Sequence, residues 1–299
     1  MNWDFTVGKL TFEQMMTQYK SAPQLLMYAS PAMLFFVFLE YFYTKKKNMD
    51  SYKDKRVLWS SIMVGAGYLI VSFLLSLVTF KLVWAVYYYL CPPQIVMAPS
   101  WWSFILCFVF YDFWRYWAHR LAHEQRFWWA SHITHHSSDY YNLTVSFRLC
   151  WVDQVKLVFF LPVVLVGFDP LQFFLAHQIA VLYQFWQHTE VIKQLPAWFE
   201  WFFVTPTNHR VHHGKNEAFI DKNYGSTFII WDRLFGTYQE PTERPVFGVK
   251  QPIRSLNPVY LVFHEYVDWL RDLKHAKTWK DRWKATFGRP GDYEGAEKF

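Results

Sequence analysis

From Val57 to Phe80 the chain runs for 24 residues without a charge, more than the roughly 20 residues a helix needs to cross the hydrocarbon of a bilayer. Three other stretches behave alike. Gln24 to Leu39 is uncharged and continues through Tyr41, Phe42 and Tyr43. Leu82 to Tyr111 is uncharged but broken by Pro92, Pro93 and Pro99, and Leu157 to Thr189 carries only Asp169. One such run fits the core of a soluble protein; four predict an integral membrane protein. The 17 Trp and 19 Tyr fit the aromatic belts that mark membrane interfaces. The fold class expected is all-α and multi-pass, with about four transmembrane helices and a helical, histidine-bearing cap on one membrane face.

Charge sets the expected orientation. Lys45, Lys46, Lys47, Lys53, Lys55 and Arg56 crowd one short loop, which the positive-inside rule places in the cytosol. Counting spans from there puts the proline-containing link around residues 91–99 on the far side and returns the chain to the cytosolic face near residue 119. Asp169-Pro170 is a turn signal, so 157–187 reads as two helices meeting on the far side. Both limbs are short, and a wedge-like hairpin is the alternative to two full spans. The chain is expected to divide into transmembrane helices over 1–106, a catalytic domain over 107–240, and a tail over 241–299, in which 264–287 reads either as an interfacial helix or as a solvated helix packed on the cytosolic domain. The first residues lack a basic region ahead of an apolar stretch, so no cleaved signal peptide is expected. Cys91, Cys107 and Cys150 are odd in number and widely spaced, which argues against a disulfide framework or a zinc ribbon. The net charge of +6 is not gathered on a polar domain, so a nucleic-acid partner is not expected.

Histidine carries the chemistry. Nine of the twelve fall in a short list of places: His119 and His123 as H-x-x-x-H; His132, His135 and His136 as H-x-x-H-H; His188 alone; His209, His212 and His213 as H-x-x-H-H again. On a helix, positions i, i+3 and i+4 share a face, and imidazole binds zinc, copper, iron and nickel. First-row ions take about four to six ligands, so nine imidazoles imply two ions. All nine land on the predicted cytosolic face, although the orientation argument never used them. An all-imidazole pair of ions suits redox-active iron, which activates O2 against an unreactive C–H bond, while the protein supplies geometry and dryness. Ligating histidines commonly hand their other N–H to a carboxylate or carbonyl. Asp112, Asp139, Gln184, Glu190 and Asp232 are the candidates for that supporting role, each with an ordinary cap or ion pair as the alternative. His177 lies about 10 Å deeper on the same helical stripe as Gln184 and is the substrate-channel candidate.

The strings HRLAH, HITHH, QFWQH and HRVHH, in that order, with HHSSDYYNLTVSFR, NHRVHHGKN and DKNYGSTFIIWDRLFGTY, resemble the fatty acid hydroxylase/sterol desaturase superfamily of membrane di-iron oxygenases. The resemblance runs from about Cys107 to Gln239. Within it, QFWQHTEVI, DKNYG and FGVKQPI look most like the alkylglycerol monooxygenase branch, which hydroxylates the carbon next to an ether oxygen with tetrahydrobiopterin as reductant. The resemblance implies that the nine histidines bind two irons, that O2 is a substrate, and that a separate partner donates the electrons. Where some members carry a histidine four residues before the isolated one, this chain has Gln184, whose amide oxygen could bind metal, hold a water, or do neither. The membrane compartment implied is the endoplasmic reticulum in a eukaryote or the inner membrane in a bacterium.

Other readings differ in what they require. A sterol, hopanoid or fatty-acyl hydroxylase or desaturase uses the same centre on another lipid, and the residues do not separate these. A metal transporter or sensor needs ligands strung through the membrane depth, whereas here only His177 lies deep. A zinc hydrolase calls for an H-E-x-x-H base, and the chain has none.

Overall fold

Residues 9–293 are described by the computed structural model. Helix α1 (Phe12–Ser21) starts at a capping box in which Thr11 and Gln14 satisfy each other's backbone N–H. It leads into α2 (Leu25–Lys46) and, past the basic loop, α3 (Lys55–Ala85), whose first turn is capped by Asp54. The last turn of α3 widens into a π-helix over Val86–Leu90. Two stretches, Phe12–Lys46 and Lys55–Leu90, are long and apolar enough to cross a membrane. Only 6% and 22% of their apolar windows are buried, so neither is the core helix of a soluble protein. Leu34, Leu69, Phe73 and Leu74 point outward, an apolar surface that a lipid medium accommodates and water does not. The chain is a membrane protein.

Among the described residues two helices have this character. Helix α4 (Trp101–Glu124) has the length, at about 36 Å of helical rise, but it carries Asp112, Arg115 and Arg120. After α5 (Arg126–Trp129) and α6 (Ile133–His136) come two 3-10 segments, Leu143–Phe147 and Asp153–Phe159. The first limb of the expected hairpin is therefore the second of these 3-10 turns followed by α7 (Leu161–Leu165), not a continuous helix, with Pro162 lacking the N–H a longer helix would need. The second limb, α8 (Pro170–Phe185), rises only about 24 Å against a hydrocarbon core of roughly 30 Å. The wedge describes this hairpin better than two spans do.

The turn between the limbs needs glycine. Gly167 has φ 101°, and a Cβ there would sit 2.0 Å from the Ile95 carbonyl oxygen. Its own carbonyl accepts from Met97 N at 3.0 Å, which ties the proline-containing link to the hairpin tip. Above this turn, Tyr87, Cys107, Tyr111, Val163, Phe173 and Ala176 form the main core between α3, α4, α7 and α8. Residue 107, the expected start of the catalytic domain, lies inside α4.

At the opposite end the chain folds into short helices, α9 (Ala197–Phe202), α10 (Pro206–His212) and α11 (Ile230–Leu234). The basic loop sits at this end: Ser51 Oγ donates to Glu190 at 2.8 Å, and Asn142 Nδ2 donates to the Ser51 carbonyl. The expected tail helix is two helices, α12 (Pro258–His275) and α13 (Trp279–Phe287). Leu261 and Val262 of α12 pack on Val64 of α3 and on Cys150, and buried Arg126 of α5 pairs with both Glu265 and Asp272. So α12 docks on the histidine-bearing end instead of lying free, while Trp279 and Trp283 of α13 stay exposed.

Candidate metal centre

Four stretches deliver the nine imidazoles to one place. His119 and His123 stand one turn apart at the end of α4. His132 caps α6, which carries His135 and His136. His188 follows the end of α8, and α10 carries His209 and His212, with His213 next. Helix α10 starts where it does because Pro206 fills its first position and the Thr205 hydroxyl accepts from Asn208 N. The rings sort into a group of five, His119, His123, His132, His136 and His212, and a group of four, His135, His188, His209 and His213. Within each, the ligand nitrogens lie within 4.8 Å of one another. Stacked rings of His136 and His213, 4.2 Å between centroids, join the two groups.

The residues fit cations. In the group of five, Nε2 atoms face each other at 2.9 Å (His119, His132), 3.2 Å (His132, His136) and 3.1 Å (His136, His212). In the group of four the spacings are 3.1 Å (His135, His188), 3.0 Å (His188, His209) and 3.2 Å (His209, His213). A carbonyl oxygen only accepts, so a ring nitrogen bonded to one carries the proton. That assigns Nδ1–H to His119 (Tyr224 O, 2.7 Å), His212 (Lys222 O, 2.9 Å) and His188 (Gln184 O, 2.9 Å). Their Nε2 atoms are left as lone pairs aimed at other imidazole nitrogens, and the buried Nε2 of His123 has no hydrogen-bond partner. A cation amid each group turns these contacts into ligation. Burial pushes His212 down to about 4 and His188 to about 3. Burial first, with neighbouring charge adding to it, holds His132, His135, His136, His209 and His213 well below the usual imidazole range. Neutral imidazole is the metal-binding form.

The supporting contacts come from main-chain carbonyls, that of the candidate Gln184 among them, and not from the carboxylate candidates. Asp232 touches no histidine; it accepts from Tyr224 N, Gly225 N and the Thr237 hydroxyl at 2.6–2.7 Å. It thereby fixes the loop whose Lys222 and Tyr224 carbonyls hold His212 and His119. Gly225 permits this approach, since a Cβ would meet Asp232 Oδ2 at 2.9 Å. Asp112 accepts from Thr227 N, Phe228 N and Trp231 Nε1 and braces the same segment from α4. Glu190 accepts from Ser51, and Asp139, with its side chain 74% exposed, lies 3.8 Å from Lys215. The Gln184 side chain bonds Arg115, while its main-chain carbonyl orients His188.

A cavity of about 350 Å³ opens from the histidines toward the apolar helices, reaching Met33 on α2 and Ser76 on α3. His177 lines it, with Nδ1 2.8 Å from the Tyr111 hydroxyl. Three residues here escaped the sequence reading. Arg148 is fully buried and donates to Thr134 O, Ser137, Ser60 and Ser61, locking α6 to α3. Glu40 of α2 is buried and accepts from Thr189 Oγ1 and Leu143 N, beside His188. Arg115 lies in the cavity wall. A charge at the end of an apolar run was the available signal for Glu40, and a charge within an apolar-rich helix for Arg115.

A helical membrane chain with nine inward-facing imidazoles in two touching groups has the donor set of a histidine-rich metal site. Residues 104–237 are similar to the family described as fatty acid hydroxylase. The chain is 43% identical over 165 residues to alkylglycerol monooxygenase of Homo sapiens, covering 54% of this chain and 36% of that protein. It is 35% identical over 206 residues to alkylglycerol monooxygenase of Caenorhabditis elegans, with coverage of 65% and 40%. Against ornithine lipid hydroxylase of Rhizobium tropici the identity is 32% over 146 residues, with coverage of 48% and 44%. The match thus spans well under half the length of these relatives. No solved structure matches.

Proposed function

We propose that this protein is an O2-dependent lipid hydroxylase with one iron in each histidine group, acting on an ether lipid of the alkylglycerol type. The observation that carries the reading is the shared cavity: five of the nine histidines line the same space as Met33, Ser76 and Phe174 of the apolar helices. A lipid chain can therefore enter from the bilayer and meet the metal groups without crossing water. The names of the most extensively matched relatives support the ether lipid, and the shared family supports iron.

The paired irons, when bound, supply oxidising power: O2 takes two electrons from an outside reductant, one oxygen enters a C–H bond and the other leaves as water. The chain's own residues do the remaining work. The nine imidazoles would hold the ions, and carbonyls of Gln184, Lys222 and Tyr224 fix three of the rings. Burial of His135, His188, His209, His212 and His213 keeps bulk water from the reacting carbon. Hydroxylation beside an ether oxygen gives a hemiacetal, which falls apart to an aldehyde and a free alcohol. Tetrahydrobiopterin as the reductant follows the resemblance. The basic loop at the histidine end supports placing that end in the cytosol.

The test combines metal analysis with isotope labelling. Protein purified in mild detergent is assayed for metal, then given 1-O-alkylglycerol, a reductant and ¹⁸O2. Two irons per chain and ¹⁸O in the released aldehyde, trapped before exchange, are the expected result. One zinc per chain with no oxygen-dependent product removes the reading.

A further inference from the structure

Helices α4 and α8 face each other through polar pairs that recede from the metal groups into the membrane. His119 and His188 form the top pair, one in each histidine group. One turn deeper on both helices, Arg115 Nη2 donates to Gln184 Oε1. Below that, the Tyr111 hydroxyl meets His177 Nδ1 at 2.8 Å. All six residues line the one cavity. Arg115 therefore lies about 6 Å of helical rise beneath His119, and any lipid reaching the centre from the bilayer passes it.

The three cations of this cavity wall are treated differently. Lys156 has the Asp153 carboxylate at 2.6 Å. Arg148 spends its guanidinium on four protein oxygens and is 0% exposed. Arg115 has Gln184 and a long contact to the Tyr111 hydroxyl at 3.4 Å, and among the described residues no carboxylate stands within ion-pair distance. A guanidinium carries five N–H donors, so Arg115 keeps several unspent in a site where an uncompensated charge is costly. Oxygen acceptors on a ligand would complete it.

We propose that Arg115, set by Gln184 and flanked by Tyr111 and His177, binds the oxygen-bearing headgroup of the lipid. Bound there, the headgroup confines oxidation to a carbon within a few bonds of its oxygens, leaving the apolar tail to run toward Met33 and Ser76. This rests on the lipid-hydroxylase reading and adds to it which end of the lipid sits at the metals.

Equilibrium binding to the full-length, metal-loaded protein tests it, using three radiolabelled probes with the same chain: 1-O-hexadecylglycerol, hexadecyl phosphate and n-hexadecane. Wild type is expected to favour at least one headgroup probe over hexadecane by about tenfold or more, the scale of a charge-assisted hydrogen bond. Arg115→Met is expected to erase that preference and leave hexadecane binding unchanged. Whichever headgroup probe loses more identifies the natural headgroup as neutral or anionic. Gln184→Leu, which frees the guanidinium from its bracket without removing it, is expected to give a smaller loss in the same direction. A wild type that binds all three probes alike overturns the proposal whether or not the variants fold, and so does an Arg115→Met protein that keeps the headgroup preference. Headgroup-dependent binding with no ¹⁸O in any product instead overturns the hydroxylase reading and leaves the headgroup site standing.

Discussion

The two histidine groups are built to different standards. In the group of five, His119 and His212 are both held through Nδ1 by carbonyls of one loop, and that loop is fixed by Asp232 and braced by Asp112. In the group of four, only His188 has such a hold; the Nδ1 atoms of His135 and His209 are buried without a partner. Three of these four rings face the cavity, against two of the five. A cation in the group of five would have more protein ligands and a firmer hold. One in the group of four would have fewer ligands and more of its surroundings open to the cavity, the usual contrast between a closed and an open metal site. On the proposed function, that difference would give firmer anchoring to one ion and access to substrate to the other.

The largest effect expected is from loss of a ligand. His135→Ala or His212→Ala should each lower turnover by more than about 100-fold, beyond what loss of a supporting contact does, while the protein still inserts into membranes. Full turnover in both would end the catalytic assignment. Next, graded chelation should remove metal in two phases, the first from the group of four; a single phase would show the two groups to be equivalent. Asp232→Asn should weaken the ion in the group of five by about 10- to 100-fold and spare the other, read as metal per chain against free metal. Arg148→Met, which strips the guanidinium from Ser137, Ser60 and Ser61 and leaves the Thr134 carbonyl only the Ser137 hydroxyl as donor, should lower stability by about 1–3 kcal/mol and act on the shared helix α6, so on both groups. Asp139→Asn should change neither metal content nor turnover, because that carboxylate faces solvent.

That the nine histidines come together was readable from spacing, because imidazoles at i, i+3 and i+4 have few other common causes. Their division into five and four was not, since it interleaves residues of one string: His132 and His136 join one group and His135 the other. The apolar helices α2 and α3 could be read from length alone. The hairpin over 157–187 could not, because an uncharged run reports burial in an apolar place without saying whether the backbone is one helix or a 3-10 turn and two short ones. Supporting residues were misplaced for a further reason. Carboxylates can be seen in a sequence, whereas main-chain carbonyls belong to every residue; those of Lys222 and Tyr224 sit in a loop with left-handed turns at Asp221 and Asn223, and that of Gln184 near the end of α8.

The ligands of each group come from parts of the chain far apart in sequence, from His119 to His212 in one and from His135 to His213 in the other. No consecutive segment can assemble either group by itself, so capturing an ion amounts to stapling remote loops that thermal motion would otherwise part. Much of the affinity for metal is thereby also cohesion of the protein. Metal scarcity in such a molecule would register first as a falling melting temperature and a shortened lifetime, with the surviving copies still fully competent.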